Sequence, residues 1–86
     1  MADFTGEKDK TIWLEPGDNT IDPVAFMQNL DDQEIRFSTE PFSGENQGAV
    51  LLQNQWVGYE TPTKVYVRID SNSRKKVPVQ VLKDRL

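Results

Sequence analysis

Between Lys64 and Leu82 the chain reads KVYVRIDSNSRKKVPVQVL, and no other stretch constrains the fold as much. Val65, Val67 and Ile69 alternate with Tyr66, Arg68 and Asp70. Val77, Val79 and Val81 alternate with Lys76, Pro78, Gln80 and Leu82. A period of two in β-branched residues is the pattern of a strand with one buried face. Asp70, Ser71, Asn72 and Ser73 separate the runs, and such side chains bond their own backbone in tight turns. The expectation is a β-hairpin turning near Ser73, with Ile69 opposite Val77, Val67 opposite Val79 and Val65 opposite Val81. A slip of one residue would send one set into water, so burial of that face holds the register. The outer face then carries Tyr66, Arg68 and Gln80, and the tip carries Arg74, Lys75 and Lys76. Pro78 cannot donate to a ladder. The last strand is therefore expected at a sheet edge, or Pro78 sits where its missing N–H would face solvent.

The rest of the chain supplies further short strands. Residues 1–10, MADFTGEKDK, are polar with one aromatic, Phe4, and predict a flexible arm ahead of a single β domain over residues 11–86. Residues 11–14, TIWL, predict a strand stopped by Glu15-Pro16-Gly17-Asp18 in a type II turn. Trp13 is expected in the core, because a small domain needs its large aromatics for burial; a surface anchor is the other reading. Asp22-Pro23 has the form of a helix start, with Asp at N-cap and Pro at N1. Val24, Met27 and Leu30 would form its apolar stripe, giving one short helix near residues 23–30. About two turns are marginal alone, and extended chain competes with this reading. Residues 34–39, EIRFST, alternate Ile35 and Phe37 with polar residues and predict another strand. Residues 40–48 are a loop by composition, with Phe42 inside it. Residues 49–52, AVLL, are continuously apolar, as in a strand covered on both sides. Gln53-Asn54-Gln55 then predicts a tight hairpin into Trp56-Val57-Gly58-Tyr59, one long strand with a bulge at Asn54 being the other reading. The fold class is all-β: a small sandwich or barrel of five to six antiparallel strands with at most one short helix.

Composition removes most chemistry. The 86 residues include no cysteine and no histidine. That excludes disulfides, thiolate metal sites, Cys nucleophiles, and the commonest general base and metal ligand. Asp31, Asp32 and Glu34 cluster, and Asp18 and Asp22 flank Asn19 and Thr20. Turn chemistry accounts for both groups. A glycosidase needs two carboxylates across a sugar-sized cleft, and calcium needs six to eight oxygens; the EF-hand spacing is absent. The five glycines match no nucleotide-binding fingerprint. No cofactor, metal or catalytic residue is predicted. There is no apolar leader and no span-length apolar run, so the expected location is the cytoplasm or a virus particle, without signal-peptide secretion.

Two binding readings remain. In the first, the chain is a protein-interaction or assembly module, such as a virus or phage accessory component or a small inhibitor. Its contact residues would be Phe42, Trp56 and Tyr59, aromatics in or beside loops, with Pro78 and Gln80 on the edge strand. In the second, Lys64, Tyr66, Arg68, Arg74, Lys75 and Lys76 bind nucleic acid on the hairpin's outer face and tip. Charge bears on both. Residues 1–60 carry three basic and twelve acidic side chains, and residues 61–86 carry seven basic and two acidic. Either the molecule has an acidic and a basic face, or folding interleaves the halves and the dipole cancels. The net charge of −4 opposes phosphate, and basic residues also protect edge strands from aggregation.

Overall fold

The computed structural model describes residues 9–44 and 47–83. Six strands account for most of them: β1 (Asp9–Leu14), β2 (Gly17–Asn29), β3 (Ile35–Ser38), β4 (Ala49–Leu51), β5 (Trp56–Ile69) and β6 (Val77–Leu82). They form one antiparallel sheet in the order β1-β6-β2-β5-β3-β4. The all-β antiparallel expectation holds, and the described residues contain no helix.

β2 gives the sheet its shape. Its first part, from Gly17 to Ile21, pairs with the end of β5, from Ile69 back to Val65. Its last part pairs on both sides, Phe26 to Gln28 with β5 and Phe26 to Asn29 with β6. Between them the register shifts twice, from Ile21 to Val24 and from Val24 to Phe26. Each bulge bends a strand and increases its twist. Pro23 falls within the first shift, where no ladder donor is required. The bent sheet curls its inner face around one core, which includes Ile21, Val24, Met27, Ile35, Val65, Val67, Ile69, Val77, Val79 and Val81. Gly17, at φ 100, makes the corner between β1 and β2 in the conformation a type II turn demands.

The bulges also explain why no helix forms near residues 23–30. Of the expected stripe of Val24, Met27 and Leu30, Val24 and Met27 are buried on either side of the second register shift, and Leu30 lies half-buried past the end of β2. In the structure the spacing of three is a strand changing phase at a bulge. Asp22-Pro23 is the bulge itself and not a helix cap.

Both expected hairpins pair differently. β5 and β6 are separated by β2, so Val65, Val67 and Ile69 never face Val79 and Val77 across a ladder. All are buried, but from two strands that each pair with β2. The turn chemistry is present: Ser73 N–H donates to the Asp70 carbonyl at 2.9 Å, and Asn72 N–H to Asp70 Oδ1 at 2.9 Å. It carries the chain past β2 instead of back along β5. Likewise Gln55 N–H closes a turn on Leu52 O at 3.0 Å, with Asn54 at φ 67, yet β4 pairs with β3 and not with β5.

Three burial expectations are overturned with them. β6 lies between β1 and β2, so Pro78 is not on an edge. The β2–β6 ladder ends at Asn29 and Val79, and the Pro78 carbonyl accepts Leu30 N–H at 3.2 Å just beyond it. A strand residue's N–H and C=O point the same way, so the donor that Pro78 lacks belongs where the ladder has already stopped. β4 is itself an edge: only Leu51 of residues 49–52 is buried. Trp13 is 61% exposed, on the opposite side of β1 from Leu14. Of the expected arm, residues 1–8 lie outside the described residues, while Asp9 and Lys10 already belong to β1.

Candidate functional site

The curled sheet leaves a seam where consecutive strands do not pair. The 52–55 turn joins β4 to β5, but no ladder connects them. An open groove of about 550 Å³ lies there, lined by Phe37, Val50, Leu51, Gln55, Trp56 and Val57. On this side of the molecule Val50 is 39%, Leu52 47% and Trp56 63% exposed. Three large apolar side chains are thus held in water beside an unpaired strand edge.

The outer face of the sheet is the second surface. Thr11 is opposite Gln80, Gln80 opposite Gln28, and Gln28 opposite Trp56. One outward row therefore crosses four strands. Trp13 opposite Pro78 lies two residues along it, and Phe26 opposite Gly58 lies two residues the other way. The Trp56 ring stacks on Phe26 with centroids 5.4 Å apart and planes inclined at 29°. Gly58 makes room for it, since a Cβ there would stand 3.2 Å from the indole Cζ3. Gln28 Nε2 donates to the Asn54 carbonyl at 3.0 Å.

Phe42 packs against Arg68. The Arg68 guanidinium lies 4.4 Å from its ring centroid and donates through Nη1 to the Gly44 carbonyl at 2.7 Å. Arg68 Nε also donates to Asp18 Oδ1 at 2.7 Å. That hydrogen bond, assisted by the opposite charge, holds the Asp18 carboxyl below its ordinary value. Phe42, Arg68 and Asp18 together tie the 40–44 segment to the sheet. Tyr59 packs its ring against the core, and among the described residues its buried hydroxyl has no hydrogen-bond partner. Burial pushes that phenol up from its ordinary value.

The basic residues of the second reading are dispersed among acidic partners. Lys75 Nζ lies 2.9 Å from Asp31 Oδ1 and 3.0 Å from Asp32 Oδ1. Its hydrogen bond lowers the Asp31 carboxyl, and the two carboxylates raise the Lys75 amine. Lys76 Nζ is 3.2 Å from Glu15. Lys64 Nζ stands 6.0 Å over the Tyr66 ring, and Arg74 is exposed. Asp18 and Asn19, weighed above for calcium, are engaged otherwise: Asn19 Oδ1 accepts Glu15 N–H and its amide donates to Glu15 O at 2.8 Å. Among the described residues no three acidic side chains converge on a metal position.

Of the five expected contact residues, the structure groups Trp56, Pro78 and Gln80 on the outer face, while Phe42 packs against Arg68 and Tyr59 against the core. The sequence reading preferred the core for Trp13 over a surface anchor, and did not single out Val50, Leu52 or Gln28 as contact residues. Trp13 was legible: it sits between Ile12 and Leu14, so a strand that buries Leu14 must turn Trp13 outward. Comparison with protein-family models, with curated protein sequences and with solved structures finds no match for the chain.

Proposed function

We propose that the protein is a non-catalytic interaction or assembly module, and that its contact surface is the groove beside β4. The observation that carries this reading is the exposure of Val50, Leu52 and Trp56 together at an unpaired edge. An isolated exposed apolar residue needs no explanation, but a cluster around a groove marks an interaction site. An open edge adds unpaired backbone groups that a partner strand can satisfy. A role as a component of a virus particle or as a small inhibitor fits such a module. The nucleic-acid reading has less support, because Arg68, Lys75 and Lys76 each have a carboxylate partner. Phosphate binding would have to break those pairs.

Light scattering after size exclusion tests the proposal, on the chain alone and mixed with proteins encoded beside it. The expected result is a complex or oligomer that Val50→Glu/Leu52→Glu abolishes while the far-UV spectrum is retained. A chain that stays monomeric and uncomplexed throughout, or a complex indifferent to both substitutions, overturns it.

A further inference from the structure

We infer that a cavity between β1 and the first part of β2 binds a free aliphatic α-amino acid. Asp22 takes its ammonium group, Lys83 its carboxylate, and Ile12, Ile21, Val24 and Val81 its side chain. The site shares no residue with the groove beside β4, so it goes beyond the interaction surface proposed above.

The bulges that bend β2 also make this cavity. β2 pairs with β6 only from Phe26 onward, and from Gly17 to Ala25 that side of it has no ladder among the described residues. β1 pairs with β6 alone. At the end of β6, between β1 and β2, lies a cavity of about 180 Å³. Its floor is apolar: Ile21, Val24 and Val81 are buried in the core, and Ile12 packs against it. Its rim is polar: Thr20, Asp22 and Lys83 line it and are exposed. The first register shift explains the mixture. Ile21 and Val24 are buried on either side of it, and Asp22 between them is left at the surface. An apolar cavity of about 150 Å³ takes up a benzene-sized guest, so this one has room for a branched aliphatic side chain.

The charges on the rim decide what the exposed end of the guest must be. Among the described residues neither Asp22 nor Lys83 has an ion-pair partner, although both line the same cavity. An alkylamine would bring a like charge to Lys83, and an alkyl carboxylate would bring one to Asp22, so each would offset its own attraction. A zwitterion satisfies both, with a charge-assisted hydrogen bond at each end. A free α-amino acid has its ammonium and carboxylate on one carbon and its side chain leaving from the same atom. That shape matches two opposite charges at a rim above an apolar floor. The interior of a peptide has neither charge and matches only the floor.

The test is titration of the full chain with L-leucine at low ionic strength, read by amide chemical shifts. Isocaproate, isopentylamine and glycine are the comparison ligands, which lack the ammonium, the carboxylate and the side chain in turn. The expected result is saturable shifts centred on Ile12, Ile21, Val24 and Val81, with a dissociation constant of about 1–10 mM. Each comparison ligand should bind at least about tenfold more weakly, the loss of one contact. Asp22→Asn and Lys83→Gln, both at exposed side chains, should each weaken leucine at least about fivefold. Asp22→Lys should make isocaproate the better ligand, while Val50→Glu, in the other groove, should leave leucine binding unchanged. No shifts at the four floor residues up to about 50 mM leucine overturn the inference. So does equal binding of leucine and either singly charged ligand, or leucine binding that neither Asp22→Asn nor Lys83→Gln alters.

Discussion

Asn29 is the one polar residue among the described residues that is fully buried, and it holds four segments together. Its amide donates to Gln33 O at 2.9 Å and to Leu51 O at 3.0 Å, and its Oδ1 accepts Asp31 N–H at 3.0 Å. Its main chain bonds Gln55 O and receives Asn54 N–H. The end of β2, the 31–34 turn, the end of β4 and the 52–55 turn all meet on this residue. The sequence marks Asn29 only as a residue that favours turns, because nothing local shows that a distant carbonyl will converge on it. Asn29→Ala would orphan the buried Leu51 carbonyl and, nearer the surface, the Gln33 carbonyl and the Asp31 N–H. At about 1–3 kcal/mol per orphaned group, with partial access to water for those nearer the surface, the expected loss is about 3–4 kcal/mol. Urea denaturation checks it, and a loss under about 1 kcal/mol would mean that water replaces the side chain. Asn29→Asp should be no better, since a carboxylate cannot donate to Gln33 O or Leu51 O.

At the scale of elements, facing and pairing proved to be different kinds of information. Which residues point inward was legible throughout residues 64–82, because the pleat alternates within a single strand. Every inward position expected there is buried. Which strand lies alongside was not legible, because ladder bonds are made by main chain and carry no side-chain signature. A turn such as 70–73 reports that the chain changes direction, and it does so whether the next strand docks beside the last or beyond β2. The spacing of three that suggested a helical stripe at Val24, Met27 and Leu30 failed for a related reason: a bulged strand and a helix share it. The candidate site was less legible than the fold. Exposure of Val50 and Leu52 follows from β4 being an edge, which is a property of strand order. The two pairings are distinguishable by cross-linking in this cysteine-free chain. Thr11 and Gln80 are direct partners on the outer face, so Thr11→Cys/Gln80→Cys should oxidise to an intramolecular disulfide. Tyr66→Cys/Gln80→Cys, opposed in the hairpin, should stay reduced, because a strand lies between and Cα atoms at least ~9 Å apart exceed disulfide reach. A gel shift and mass spectrometry read both, and a disulfide in the second variant alone would restore the hairpin.

Across the whole molecule, the charge asymmetry of the sequence is folded away. Asp18 meets Arg68, Glu15 meets Lys76, and Asp31 and Asp32 meet Lys75. Each contact joins the acidic first part of the chain to the basic last part. They also fix how stability depends on pH. Asp18 and Asp31 both have carboxyls lowered from the ordinary 3.8, chiefly by hydrogen bonds from Arg68 and Lys75. An acid with a depressed folded-state value binds fewer protons folded than unfolded near that pH. Its contribution is fully present above 3.8 and is lost as pH falls through the lowered value. The urea midpoint should therefore change little from neutrality down to about pH 5 and decline below about pH 4. Lys75→Gln removes the cation beside Asp31, so the carboxyl returns towards its ordinary value and the acid limb becomes shallower. Lys75 is 54% and Asp18 59% exposed, so solvent and salt screen these pairs. The difference between Lys75→Gln and the parent should accordingly shrink at ~1 M salt, where the screening length is about 3 Å. Equal acid limbs for the two proteins at low salt would show that Asp31 owes its acidity to the Gln33 N–H that its Oδ1 accepts at 2.9 Å, and not to the lysine.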